Sequence, residues 1–199
     1  MQDLTPTPAQ TVGPFYGYAL PFERGGELVP PSREGSIRFH GTVRDGDGKP
    51  IPDALIEIWQ PDASGSISRQ PGSLKRDGYT FTGWGRTPVD DAGHFTFTTV
   101  DPGPTREGGA PFILVCVFAR GLLDRVFTRA YLPESDALGE DPLLSSVEES
   151  RRGTLIAQRE PDGGLLFNIT LQGEDETVFL SYPQTPALNG PAAAEQNRS

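Results

Sequence analysis

Glycine and proline interrupt this chain along its whole length, 24 and 20 of 199 residues. Proline cannot continue a helix interior and glycine weakens one, so elements here must be short and joined by turns. That spread favours an all-β fold over a helical one, and the length suffices for one domain with a sizeable core. Between the breakers the hydrophobic pattern has period two. Ile37, Phe39, Gly41 and Val43 alternate with Arg38, His40 and Thr42, which predicts a half-buried strand from Ser36. The stretch DGDGKPIPD is a turn, and ALIEIWQ is a second strand. Residues 66–86 read as loop, ending in GWGR. HFTFTTV then places Phe95, Phe97 and Thr99 on one face. APFILVCVF, at 110–118, is a nearly unbroken apolar run and predicts a central strand covered on both faces. RVFTRAYL follows, with Arg125, Phe127, Arg129 and Tyr131 on one face.

Asp141 and Pro142 open LLSSVEESRR as one short helix, Asp as N-cap and Pro at the first helical position. LLFNITL is a last strand. Six or more strands, long loops and one helix predict a β-sandwich. The expected organisation is an extended N-terminal arm over 1–35, a sandwich over 36–182 and a flexible tail over 183–199.

The net charge of -10 argues against nucleic acid or an anionic membrane as partner. No apolar stretch reaches the roughly 20 residues of a membrane span, and the first residues lack the basic and apolar regions of a secretion signal. The expectation is a soluble, cytoplasmic protein. Cys116 has no second cysteine to pair with and lies within the apolar run, so it reads as a small buried hydrophobe. His40 and His94 stand on the polar sides of their strands without a second histidine at ligand spacing, which predicts surface or hydrogen-bonded roles. Asp45-Gly46-Asp47-Gly48 superficially matches a calcium loop but lacks the distal glutamate. No nucleophile elbow, phosphate-binding glycine loop or Cys/His pair is present. Arg129 stands out, a mid-strand cation between Phe127 and Tyr131. It is either an ordinary exposed or salt-bridged arginine or a bidentate holder of a small organic acid.

The set GTVRDGDGKPIPDALIEIWQPDASG, GRTPVDDAGHFTFTTVDPGP, TVGPFY, TRAYLP, TLIAQ and QGEDETVFL resembles the intradiol ring-cleaving dioxygenases, over residues from about 4 to 182. Ile67 departs from the pattern, which usually has an aromatic there. Within the family the resemblance is to the iron-free α chains of heteromeric members. In the iron-binding chains, two tyrosines and two histidines hold Fe(III). The position after the P-G-x element is Thr105 here, and the H-x-H positions are Phe112 and Leu114. The resemblance therefore implies no metal in this chain and Fe(III) in a partner β subunit, within a higher (αβ)n assembly. The complex would cleave 3,4-dihydroxybenzoate with O2 between its hydroxyl-bearing carbons, giving 3-carboxy-cis,cis-muconate. Carried over residue by residue, Thr11, Gly13, Pro14, Phe15 and the adjacent Tyr16 would line the substrate site. Arg129 would position the substrate and act as neither acid nor base. No catalytic residue is expected in this chain alone. The competing expectation is a stand-alone degenerate sandwich that binds an aromatic acid without catalysis.

Overall fold

The computed structural model describes residues 13, 15–70, 74 and 76–181. Two sheets pack face to face as a sandwich, as the turn spacing predicts. The first is built on β1 (Ser36–Arg44), which pairs antiparallel with β4 (His94–Val100) and parallel with two short strands, β8 (Leu165–Leu166) and β9 (Ile169–Thr170); β7 (Gln158–Arg159) closes the edge against β8. The second sheet has the order β3 (Trp84–Pro88), β2 (Leu55–Trp59), β5 (Phe112–Phe118) and β6 (Val126–Tyr131), all antiparallel.

Alternation places the core. Phe39, Phe95, Phe97 and Phe167 point inward from the first sheet and meet Ile56, Ile58, Ile113, Val115 and Val117 from the second. The Phe39 ring lies 5.8 to 6.3 Å from the other three phenyl rings, so one aromatic cluster anchors the interior. A smaller cluster of Ala110, Tyr131, Leu144 and Leu155 sits at the end of the second sheet, under the 132–156 connection. The apolar run is central as expected, between β2 and β6. Its outer face is less covered than its inner one, because Phe112, Leu114 and Phe118 are only half-buried.

Three local readings change. The helix predicted over 142–152 breaks into α2 (Pro142–Ser146) and α3 (Glu149–Arg152), after a first short helix α1 (Tyr16–Ala19) within the N-terminal segment. Asp141 caps α2 as predicted, its side chain accepting from Leu143 N and Leu144 N. At Val147 the backbone turns extended, and its side chain packs on the Tyr131–Leu144–Leu155 cluster, where a continuous helix would not have taken it. LLFNITL is likewise two strands. Asn168 Oδ1 accepts from Thr42 N and Oγ1, so a side chain replaces a ladder bond between β8 and β9. The GWGR stretch, read as the end of a loop, is the edge strand β3.

The two histidines are hydrogen-bonded as their strand positions predict: His40 Nδ1 lies 3.1 Å from His94 Nε2, and His40 Nε2 lies 2.7 Å from Glu160 Oε2. Asp45 forms an ordinary turn, accepting from Asp47 N and Lys49 N. Cys116 is buried, and burial, with Glu57 adding to it, pushes its thiol up to about 12, so it is inert as a nucleophile. Among the described residues no helix is long and apolar enough to cross a membrane.

Candidate functional site

The chemistry-bearing side chains gather on the outer face of the second sheet. Register sets them: Phe112 is opposite Tyr131, Leu114 opposite Arg129, Glu57 opposite both Cys116 and Arg86, and Trp59 opposite both Leu114 and Trp84. At the Phe112 end, the 105–110 loop and the start of α2 rise beside the sheet and leave a cleft of about 300 Å³. Thr105, Arg106, Phe112, Arg129, Asp141 and Leu143 line it.

Arg129 is half-buried, and its guanidinium carbon lies 4.0 Å from the centre of the Phe112 ring. Such a stack holds the cation over the negative face of the ring. Nη1 donates to the Tyr131 hydroxyl at 3.0 Å, and that hydroxyl donates to Asp141 Oδ1 at 3.0 Å. Burial drives the Tyr131 phenol up to about 12 against the opposing pull of Arg129, with Asp141 adding to the rise. The phenol therefore stays protonated at neutral pH and can serve as the link between Arg129 and Asp141. Arg106 reaches toward the same carboxylate, with Nη2 3.8 Å from Oδ2, too long for a hydrogen bond.

Two of the three positions where the resemblance puts metal ligands, Thr105 and Phe112, line this cleft, and Leu114 lies beside Arg129 in the register. A phenyl and an isobutyl group carry no lone pair for Fe(III), and the nearby guanidinium is a cation that would repel it. Among the described residues no group of three or more His, Cys, Asp or Glu is arranged to hold a metal ion. The donor set does not fit iron.

The arm residues lie elsewhere. Thr11 and Pro14 fall outside the described residues. Gly13 and Phe15 are exposed, whereas Tyr16 is buried and its hydroxyl donates to the Asp53 carbonyl. Burial first, then Asp53, raises the Tyr16 phenol to about 12. Asp53 also pairs with Arg120 at 3.0 Å, near the Phe118 end of β5. Phe118 is four residues from Leu114, roughly 13 Å along the strand. The structure thus does not bring Tyr16 and Arg129 together within one chain. From Tyr16 the segment runs over the edge of the same sheet face, where Leu20 O accepts from Arg86 Nη1 at 3.0 Å and Phe22 stacks on Trp84 at 5.5 Å.

Arg86 also holds Glu57, Nε to Oε1 at 2.7 Å, with both side chains largely shielded at 18% and 13% exposure. Removing one partner strands the other charge, so Glu57→Gln is expected to cost about 2 kcal/mol, discounted for the remaining solvent contact. Urea denaturation measures it, and an unchanged midpoint would remove this pair from the fold's supports.

Sequence reasoning singled out Arg129 but not the partners that hold it. Tyr131 was visible as its same-face neighbour two residues on. Asp141 was visible only as a helix N-cap, and its link to Tyr131 had no such signal, because a loop brings it in.

A two-sheet sandwich with a cleft at one end is shared by unrelated proteins, so similarity to known chains decides the family. Residues 23–120 match the sequence model of the Dioxygenase family. The chain is 37% identical over 197 residues to the protocatechuate 3,4-dioxygenase alpha chain of Burkholderia cepacia, covering 90% of this chain and 99% of that one. It is 30% identical to the beta chain from the same organism, covering 69% of this chain and 64% of that one. The dioxygenase domain of a dioxygenase–carbohydrate-binding fusion from Streptomyces sp. SirexAA-E superimposes with a TM-score of 0.57 at 25% identity, over 85% of this chain and 99% of that chain. The chain belongs to the intradiol dioxygenase family.

Proposed function

We propose that this chain is the α subunit of a protocatechuate 3,4-dioxygenase. The observation that carries the reading is a near-full-length similarity to an alpha chain, joined to a cleft in which two of the expected ligand positions are Thr105 and Phe112, with the third, Leu114, opposite Arg129 in the register. A partner β subunit holds Fe(III), and this chain completes the substrate pocket at the interface of an (αβ)n assembly in the cytoplasm. Exposed aromatics on the shared sheet face and the adjoining arm support a covered surface: Phe15 is 76%, Tyr18 86% and Trp59 51% exposed. Large exposed aromatic side chains on one face are characteristic of protein interfaces. The resemblance assigns Thr11, Gly13, Pro14, Phe15 and Tyr16 to walls of a substrate pocket; because Tyr16 lies at the other end of the sheet from Arg129, that pocket is one shared with a neighbouring subunit and not the Arg129 cleft of the same chain. Such a wall costs little entropy to order at the proline, and glycine permits close approach. Arg129 binds the ring carboxylate and so fixes which carbons of the ring face the reaction.

Purifying the chain alone and together with an iron-binding β chain tests this. The lone chain is expected to be colourless and to leave O2 untouched. The mixture is expected to show the red tyrosinate–Fe(III) absorption and to consume O2 with 3,4-dihydroxybenzoate. A red, active homo-oligomer of this chain would overturn the proposal.

A further inference from the structure

The Phe112 ring holds the Arg129 guanidinium carbon 4.0 Å from its centre, but it does not choose which nitrogen faces which way. A ring face attracts a cation through its quadrupole, which prefers no direction within the plane. Among the described residues one side-chain hydrogen bond makes that choice, Nη1 donating to the Tyr131 hydroxyl at 3.0 Å. Nε is buried without an acceptor, so Nη2 is the nitrogen left for a ligand. The direction of the Tyr131 bond is fixed from behind. An arginine can only donate, so the phenol proton must go to Asp141 Oδ1, also at 3.0 Å, and the phenol oxygen offers only lone pairs to Arg129. Asp141 is held in turn, since Oδ1 accepts from the amides of Leu143 and Leu144 at 2.9 and 3.1 Å. Tyr131 is wholly buried, its ring packed with Ala110, Leu144 and Leu155 and 5.5 Å from the Phe112 ring. A phenol clamped at its ring and at its proton has one position, whereas a long arginine side chain left to itself samples many rotamers.

We propose that Tyr131 is a positioning residue for ring cleavage: its hydroxyl, aimed by Asp141, sets the angle of the Arg129 guanidinium and so the edge that the substrate carboxylate meets. Tyr131 is shut off from the cleft and acts only through Arg129. The inference rests on the reading that Arg129 takes the ring carboxylate, and adds the residue that aims it.

Oxygen uptake by the αβ complex tests this with Tyr131→Phe, Arg129→Ala and the two combined. Phenylalanine keeps the ring in its cluster and removes only the oxygen, so the fold is retained. Tyr131→Phe is expected to raise KM for 3,4-dihydroxybenzoate about three- to tenfold, what one ordinary hydrogen bond is worth, and to leave catechol unchanged. In the Arg129→Ala background the same change is expected to add nothing, because Tyr131 has no other route to the substrate. Leu155→Val thins the same cluster without touching the relay. It is expected to lower the urea midpoint and to leave KM for both substrates unchanged. The inference falls if Tyr131→Phe leaves KM for 3,4-dihydroxybenzoate where it was. It falls equally if the Tyr131→Phe penalty persists in full beside Arg129→Ala, or if Leu155→Val reproduces it, since either would mark a structural role. A selective Arg129→Ala effect with none from Tyr131→Phe refutes the aiming and leaves the carboxylate reading standing. Equal Arg129→Ala losses on both substrates overturn that reading, and the aiming with it.

Discussion

Alanine at Gly41 is expected to destabilise the sandwich by about 3 kcal/mol or more, the upper range for overpacking. The reason is distance rather than backbone conformation. A Cβ built at Gly41 would stand 1.8 Å from the Phe167 carbonyl oxygen and 2.6 Å from its carbonyl carbon. Both are backbone atoms, so no side-chain rotation relieves the clash. Phe167 N donates to His40 O at 2.8 Å, and its ring stacks on Phe39, so the segment cannot retreat without losing the ladder and the aromatic cluster together. Against a total stability of 5–15 kcal/mol typical of domains, that loss is a large share. Urea denaturation of the isolated chain measures it. A shift below about 0.5 kcal/mol would mean that β8 and β9 yield easily and that their close approach supports little.

Arg129→Ala in the αβ complex is expected to raise KM for 3,4-dihydroxybenzoate by about 10- to 100-fold and to change turnover of catechol little. Charge-assisted hydrogen bonds to a carboxylate are worth more than neutral ones, and catechol has no carboxylate to lose. The substitution also removes the stack on Phe112 and the bond to Tyr131, which lie at the surface end of the sheet rather than in the main core. Oxygen-uptake kinetics on both substrates separate recognition from folding. Equal losses for the two would assign Arg129 a structural role and end its claim on the carboxylate.

These effects lie at different depths of legibility. The alternation of Ile37, Phe39 and Val43 announced β1 because a half-buried strand must alternate. The run Phe112–Phe118 announced a central strand because it offers apolar surface to both sides. Gly41 looked like any small residue in a strand, and only the position of Phe167, 126 residues away, explains why nothing larger fits. β3 escaped for a related reason. Gly85 weakens a strand signal, and only the fold shows that a Cβ there would crowd Leu28 Cδ1 at 2.5 Å and the Gly25 carbonyl at 3.0 Å. The helix at 142–152 had the right cap and the wrong length, since Val147 leaves it to cover a cluster that no local pattern reveals.

At the site, Arg129 was conspicuous as a charge within a strand, and the family resemblance supplied its expected task. The relay through Tyr131 to Asp141 was not readable, because a connection with one short 3-10 helix, Asp136–Glu140, decides where Asp141 returns. By itself the sequence determined an all-β sandwich, the faces of its main strands and the loss of lone-pair donors at Phe112 and Leu114, since breaker spacing, period-two alternation and side-chain chemistry are local properties. Only the tertiary structure decided that Arg106, Arg129 and Asp141 share one cleft and that Tyr16 lies at the other end of the sheet. Those are distances between segments remote in the chain, set by strand register and loop path.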